Sequence, residues 1–278
     1  MKTVGEILSR TASFLEKNKI ERPRRLAEDL LAFALQVKRI ELYMQFDRPV
    51  LEAELAMMRP WIKRLSMGEP LEYILGEVDF YGCKIKVDRR VLIPRPETEI
   101  LTDLIAKRMG LEATVWDVCT GSGCIGIALK KKFQQISVSL SDLSDNALAA
   151  ARINAELNGV KVEFLKGDLL DPFKGRKADM IVVNPPYVSV NEYLSLDPSV
   201  RDFEPKSALV GGERGTEFYE KLASTLPNFL TPGAKVFLEI GCSQGDAVQK
   251  FFCSPVWVKR ELRSDWSGKD RFFFLEMQ

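Results

Sequence analysis

Two stretches carry residues whose types and spacing suit chemistry on a small ligand. The first is Val115-Trp116-Asp117-Val118-Cys119-Thr120-Gly121-Ser122-Gly123-Cys124-Ile125-Gly126. It reads as a strand running into a glycine-rich turn and then a helix. Gly121, Gly123 and Gly126 have G-x-G-x-x-G spacing, and Asp142 follows about 20 residues on, where a ribose-binding acid belongs. Alone, this pattern serves NAD as well as any other adenosine-bearing cofactor. A tight turn that needs glycine for backbone reasons would also produce it. The second stretch is the apolar run Asp179 to Val183, which leads into Asn184-Pro185-Pro186-Tyr187. Proline has no N–H, so positions 185 and 186 present only carbonyl acceptors. Asn184 adds a side-chain acceptor and is biased to an extended conformation by the proline after it. Tyr187 offers a flat π face. Together they make a cradle for a planar –NH2 group, with acceptors on its N–H bonds and a ring against its plane. A rigid strand exit is the plainer alternative, since Asn-Pro is a common turn dipeptide.

Composition removes several other chemistries. The chain has no histidine, so Ser-His-Asp and Cys-His catalysis, His-ligated zinc and HExxH chemistry are excluded, and no metal is expected. The five cysteines (Cys83, Cys119, Cys124, Cys242, Cys253) form no C-x-x-C pair, which suits a reducing compartment better than a disulfide framework. Lys+Arg 40 against Asp+Glu 39 leaves a net charge of +1, with no sign of a general nucleic-acid binder. Met1 to Arg10 has no apolar signal region, and no run approaches the roughly 18 apolar residues of a membrane span. The expectation is a cytoplasmic protein without a membrane partner.

The elements that must position these residues follow from periodicity. Thr3 and Glu6 have capping-box spacing before a helical pattern. Pro23 opens a second helix, and Leu51, Leu55, Met58, Ile62 and Leu65 form a stripe on another. Residues 1–75 thus predict a small helical domain. Residues 76–98 predict a β-hairpin around Gly82 and an extended, rigid linker through Pro94 and Pro96. From 99 to 278 strands alternate with helices, which predicts an α/β fold with a mostly parallel sheet and helices on both faces.

The Asp117-to-Gly123 loop together with Asn184-Pro185-Pro186-Tyr187 resembles the class I S-adenosylmethionine-dependent methyltransferases that modify amino nitrogens. Further stretches narrow the resemblance: Gly68-Glu69-Pro70-Leu71-Glu72-Tyr73-Ile74-Leu75-Gly76, Ile93-Pro94-Arg95-Pro96-Glu97-Thr98-Glu99, Phe203-Glu204-Pro205, Leu238-Glu239-Ile240-Gly241 and Asp265-Trp266-Ser267-Gly268-Lys269-Asp270-Arg271. These resemble the release factor glutamine N5-methyltransferase family over nearly the whole chain. The resemblance implies a Rossmann-like methyltransferase domain behind a helical substrate-docking domain. It implies S-adenosyl-L-methionine as cofactor, with S-adenosyl-L-homocysteine as product. The implied substrate is the Gln of the Gly-Gly-Gln motif in class I peptide chain release factors, with no direct nucleic-acid substrate.

On this reading Asn184 and the Pro185 carbonyl hold the amide N–H bonds, Pro186 completes the cradle, and Tyr187 holds the amide plane. On the cofactor side, Cys119, Thr120, Gly121, Ser122 and Gly123 form the loop, with Asn184 beside it. Asp142 pairs with the ribose, Asp168 with the adenine amine, and Asp117 lies near the methionine ammonium. Two positions depart from the family pattern. Cys119 stands where glycine is usual, and the loop is expected to be unstrained there. Leu169 stands where many relatives place an aromatic residue, and is expected to pack without stacking. The rival readings are N6-adenine methylation of nucleic acid, methylation of a ribosomal-protein glutamine, an NAD-dependent oxidoreductase, and a non-catalytic cofactor-binding protein.

Overall fold

A computed structural model describes residues 2–278. The chain forms two compact units: the stretch up to Gly76 together with Pro198–Phe203, and Glu77–Asp197 together with Glu204–Gln278.

The smaller unit contains helices α1 (Val4–Lys17), α2 (Pro23–Leu35), α3 (Arg39–Met44), α4 (Glu52–Ser66) and α5 (Leu71–Leu75). The capping box forms: the Glu6 N–H donates to Thr3 Oγ1 at 3.3 Å, and the Thr3 N–H donates to the Glu6 carboxylate at 3.1 Å. Pro23 occupies the first turn of α2, where its missing N–H costs nothing. The stripe on α4 buries Met58 and Leu65 and packs Leu55 and Ile62 against a core of Val4, Leu8, Leu15, Leu30 and Leu31. Leu51 precedes the helix and stays 52% exposed.

The larger unit opens with the antiparallel hairpin β1 (Glu77–Phe80) and β2 (Cys83–Lys86). Its turn residues Tyr81 and Gly82 both have positive φ, as a two-residue hairpin turn of this twist requires. The hairpin belongs to this unit rather than to a separate linker segment. The remaining elements are α6 (Pro96–Ala106), β3 (Thr114–Val118), α7 (Cys124–Lys132), β4 (Ser137–Asp142), α8 (Asp145–Leu157), β5 (Glu163–Lys166), β6 (Ala178–Val183), α9 (Val190–Leu194), α10 (Pro198–Arg201), α11 (Lys206–Leu209), α12 (Glu217–Thr225), β7 (Leu230–Glu239), α13 (Gly245–Phe251), β8 (Trp257–Ser264) and β9 (Asp270–Met277). Of these, α10 groups with the smaller unit.

The sheet runs β5-β4-β3-β6-β7-β9-β8. Five strands are parallel, and β9 is antiparallel to both neighbours. Alternate residues of β3 show helices on both faces. Trp116 and Val118 share a buried core with Tyr219 and Leu222 of α12, whereas Asp117 faces α7 and accepts the Gly126 N–H.

One expectation from the sequence shifts, and the structure adds local detail. The proline-rich linker is helical from Pro96, because proline fits the first helical position. Strand β7 continues across Pro232 and Gly233. Strand β5 is short and begins at Glu163. The short helices α9, α10 and α11 between residues 190 and 209 carry too few turns to show a period.

Gly126 is a tight point of this packing. A Cβ there would stand 2.2 Å from the Leu140 side chain and 3.1 Å from Asp117 Oδ2. Gly126→Ala is therefore expected to lower unfolding stability by about 1–3 kcal/mol, despite alanine's better helix propensity. Urea denaturation measures this, and a stability gain would contradict the close helix–strand contact.

Candidate active site

Strand order reverses between β3 and β6, which makes their carboxyl ends the expected place for a ligand in an open α/β sheet. The register sets the neighbours. Val118 pairs with Val183, Ser141 with Val118, and Val183 with Leu238. The next residues along, Asp142, Cys119, Asn184 and Glu239, therefore leave the sheet in one row.

A cavity opens over this row, with an empty volume of about 1120 Å³, its open mouth included. From the glycine loop it is lined by Cys119, Thr120, Gly121 and Ser122, and at the strand ends by Asp142, Asp168, Leu169, Asn184 and Pro186. Asp142 accepts the Gly121 N–H at 2.9 Å on one oxygen and the Ser144 N–H at 2.9 Å on the other. Burial holds its carboxyl above the ordinary value, against those backbone bonds. Gly121 has φ +54, and nothing lies within 4 Å of where its Cβ would be, so that space belongs to the cavity. Gly123, with φ +80, starts α7 and packs closely against Ile127 and Ala151.

This geometry overturns one expectation, at Cys119, and leaves Asp117, Pro185 and Tyr187 outside the cavity wall. Asp117 does not line the cavity. It lies beneath the loop, 1% exposed, and its Oδ2 accepts from Thr120 Oγ1 at 2.7 Å and the Gly126 N–H at 2.9 Å. Burial pushes its carboxyl up to about 6 in spite of both bonds. The expectation of an unstrained loop at Cys119 is overturned: its φ is +59. Its thiol is pushed well up by burial and by the Asp142, Asp117 and Asp168 carboxylates, so it stays protonated. Pro185 and Tyr187 are not in the cavity wall, which Asn184 and Pro186 form on this side. Asp168 faces the cavity, with Lys221 Nζ 3.8 Å from its carboxylate.

Five side chains around the site are not legible as such in the sequence. Thr98 Oγ1 accepts from Asn184 Nδ2 at 3.4 Å and donates to Glu239 Oε2 at 2.7 Å. Tyr187 Oη donates to Glu239 Oε1 at 3.5 Å, and Gln244 Nε2 donates to the Tyr187 carbonyl at 2.7 Å. Thr98 and Glu239 lie inside family-like stretches that assign them no role. Asn154 of α8 is fully buried and donates to both the Ser122 and Lys86 carbonyls, tying the loop to the hairpin. Phe218 of α12 puts an aromatic ring in the cavity wall, although Leu169 is not aromatic. No local motif marks Asn154 or Phe218.

The sequence family described as "Methyltransferase small domain" matches residues 96–195, and "PrmC N-terminal domain" matches residues 6–76. A release factor glutamine methyltransferase of Chlamydia trachomatis serovar L2 is 40% identical over 278 residues, which cover 98% of this chain and 94% of that protein. One of Bacillus cereus is 37% identical, with 99% of each chain covered. The chain belongs to the release factor glutamine methyltransferase family. A crystal structure of a methyltransferase from Pyrococcus furiosus shares the fold, with TM-score 0.52 and 19% identity over 70% of this chain and 89% of that one. Among the described residues, no helix is long and apolar enough to cross a membrane.

In this member of the family, Glu239 is 1% exposed, and burial pushes its carboxyl up to about 7 from an ordinary 4.5. Between those two values the folded protein holds a proton that the unfolded chain has released. Glu239 therefore favours folding most below pH 4.5, and that contribution is lost as pH rises to about 7. Replacing it by Gln is expected to flatten the fall of Tm across this window. Calorimetry at several pH values measures the slope. An unchanged slope would mean that Glu239 titrates normally.

Proposed function

We propose that the chain transfers a methyl group from S-adenosylmethionine to the side-chain amide nitrogen of the Gln in the Gly-Gly-Gln motif of peptide chain release factors. The observation that carries this reading is the position of Asn184. It leaves β6 at the switch point, borders the cavity, and has its Nδ2 end already engaged by Thr98. Its Oδ1 end remains as an acceptor for a substrate N–H. Relatives that bear this activity in their names match the chain from end to end.

The cavity fits the cofactor on its own features. Gly121 leaves open space for close backbone approach, and Asp142 stands at the strand end where a ribose hydroxyl pair would be held. Among the described residues, the only arginine or lysine in the wall is Arg90, already paired through Nε and Nη2 with the Asp88 carboxylate. With Lys221 3.8 Å from Asp168, the wall keeps Asp142 as a carboxylate without a cation beside it and has no unpaired cation, which suits a cationic ligand better than a pyrophosphate and weighs against the NAD reading. When bound, S-adenosylmethionine supplies an electrophilic methyl group on a positive sulfonium.

The residues of the chain then have a defined task. An amide nitrogen is a poor nucleophile because its lone pair is conjugated with the carbonyl. Acceptors on its N–H bonds raise its electron density and keep it in place. Asn184 Oδ1 and the Pro185 carbonyl supply them. The Pro186 carbonyl is turned elsewhere: it lies 2.2 Å from where a Gly211 Cβ would be, so it packs on that glycine. Tyr187 is held at both ends, by Glu239 and by Gln244, which supports its role as the rigid side of the cradle. Transfer releases one proton from the amide nitrogen to solvent. Positioning of aligned reactants supplies much of the rate in such a site, up to roughly 7–11 kcal/mol.

Asn184→Ala is expected to keep cofactor affinity within a few fold and to lower turnover at least about tenfold to a hundredfold, the worth of one buried acceptor. Labelled S-adenosylmethionine, offered with intact release factor, its Gln-replaced variant, a ribosomal protein and adenine-containing nucleic acid, checks substrate and residue together. Label on intact release factor alone is the expected result. Label on nucleic acid or ribosomal protein instead would move the substrate, and near-normal turnover by Asn184→Ala would remove the cradle.

A further inference from the structure

We propose that Thr98 and Glu239 are positioning residues that decide which end of the Asn184 side-chain amide faces the substrate. This rests on the reading of Asn184 as the acceptor for the glutamine N–H. The two ends of an asparagine amide have nearly the same shape, so only hydrogen-bond partners choose between them. With its oxygen toward the substrate, Asn184 accepts an N–H. With its nitrogen there, it would set N–H against N–H.

The choice is made by a short buried chain. Glu239 is 1% exposed and away from the cavity, so water does not supply its partners, and Thr98, 2% exposed, borders the cavity. An ionised carboxylate only accepts. Above about pH 7, where Glu239 is ionised, Thr98 therefore donates its single hydroxyl proton to Glu239 Oε2, 2.7 Å away. Toward Asn184 that hydroxyl can then only accept, and it faces Nδ2 at 3.4 Å. The Oδ1 end is left for the cavity. Tyr187 donates to the other oxygen of the same carboxylate. One anion thus orients both the acceptor and the aromatic side of the cradle.

The chain of donors has a definite direction, and protonating Glu239 reverses it. A protonated carboxyl can donate to Thr98, which frees the threonine proton to point at Asn184 and favours Oδ1 on that side. The groups facing Glu239 set where this happens. Thr98 and Glu97 come from α6, Cys124 from α7, Tyr187 from the exit of β6, Tyr219 from α12 and Arg271 from β9. Arg271, Thr98 and Tyr187 favour the ionised form, while burial and Glu97 oppose it. Tyr219 donates to the Glu239 main-chain carbonyl at 2.8 Å, which fixes the backbone and leaves the carboxylate to Thr98 and Tyr187.

The test compares Asn184→Ala, Thr98→Val, Thr98→Ser and Glu239→Gln in the full chain. It uses S-adenosylmethionine and release factor, and measures kcat, KM for the protein substrate and cofactor Kd from about pH 5.5 to 8.5. Valine copies the shape of threonine without its hydroxyl. Thr98→Val is expected to lower kcat at least about tenfold with cofactor Kd within about twofold, and Thr98→Ser to restore most of it. The wild-type kcat is expected to fall as pH drops below about 7, and Glu239→Gln to lack that limb. A wild-type kcat in Thr98→Val beside an inactive Asn184→Ala overturns the positioning role and leaves the cradle standing. An active Asn184→Ala overturns the cradle itself. If Thr98→Val fails to fold, the serine variant and the pH limb of Glu239→Gln decide, and an unchanged limb counts against the proposal.

Discussion

The lateral register of the parallel strands is the constraint on which the site depends. Because Val118 pairs with Val183 and Val183 with Leu238, the residues after them emerge side by side. A slip of one residue would turn every side chain of a strand to the opposite face. It would also move Asn184 away from either the glycine loop or Glu239. The pairing of β6 with β7 is not regular from the start. Ala178 pairs with Leu230, but Met180 pairs with Lys235, so β7 spends extra residues around Pro232 and Gly233 before regular pairing begins. Thr231 pins this irregular stretch by donating to Asp179 at 2.8 Å. Without those extra residues, Glu239 would not stand beside Asn184. The irregularity in β7 is thus part of how the site is assembled.

A chain without histidine must arrange its site electrostatics with carboxylates and backbone. Three acids close to the strand ends, Asp117, Asp142 and Glu239, all have their carboxyls raised, and in each the largest cause is burial. They are tolerated because each is hydrogen-bonded, yet they do different work. Asp117 joins β3 to α7 from beneath the loop. Asp142 spends part of its capacity on Gly121 and Ser144 and turns the rest to the cavity. Glu239 organises Thr98 and Tyr187. Identical chemistry at adjacent strand ends is separated into anchor, cavity wall and organiser by what lies above each carboxylate.

What is legible in the sequence is what is local. The glycine loop, the acid after the second strand and the proline-rich exit each lie on one strand and its turn, where spacing fixes geometry. Thr98 and Asn184 are 86 residues apart, and Tyr187 and Glu239 are 52 apart, so their meeting depends on sheet order rather than on any spacing. Asn154 and Phe218 sit on ordinary helical faces, and only packing brings them to the loop and the cavity. Asp117 shows the reverse case. Its place in the motif suggests a ligand contact, but strand alternation turns it toward α7 and under the loop.

The two positions that depart from the family pattern share a strained backbone. Cys119 and Leu169 both have positive φ, at +59 and +46, and both line the cavity. Glycine would relieve each backbone of about 1–2 kcal/mol. It would also remove a side chain from the wall. Leu169 is 8% exposed and belongs to the buried core beneath β3, and Cys119 packs against the same core. Burying a leucine side chain is worth about 1.5–3 kcal/mol, enough to offset the strain at its own position. The backbone is held in an unfavourable conformation there because the packed core over-determines it. An apolar wall built from strained positions is also a wall with little freedom to move. That suits a cavity that has to hold a methyl donor in line with a weak nucleophile.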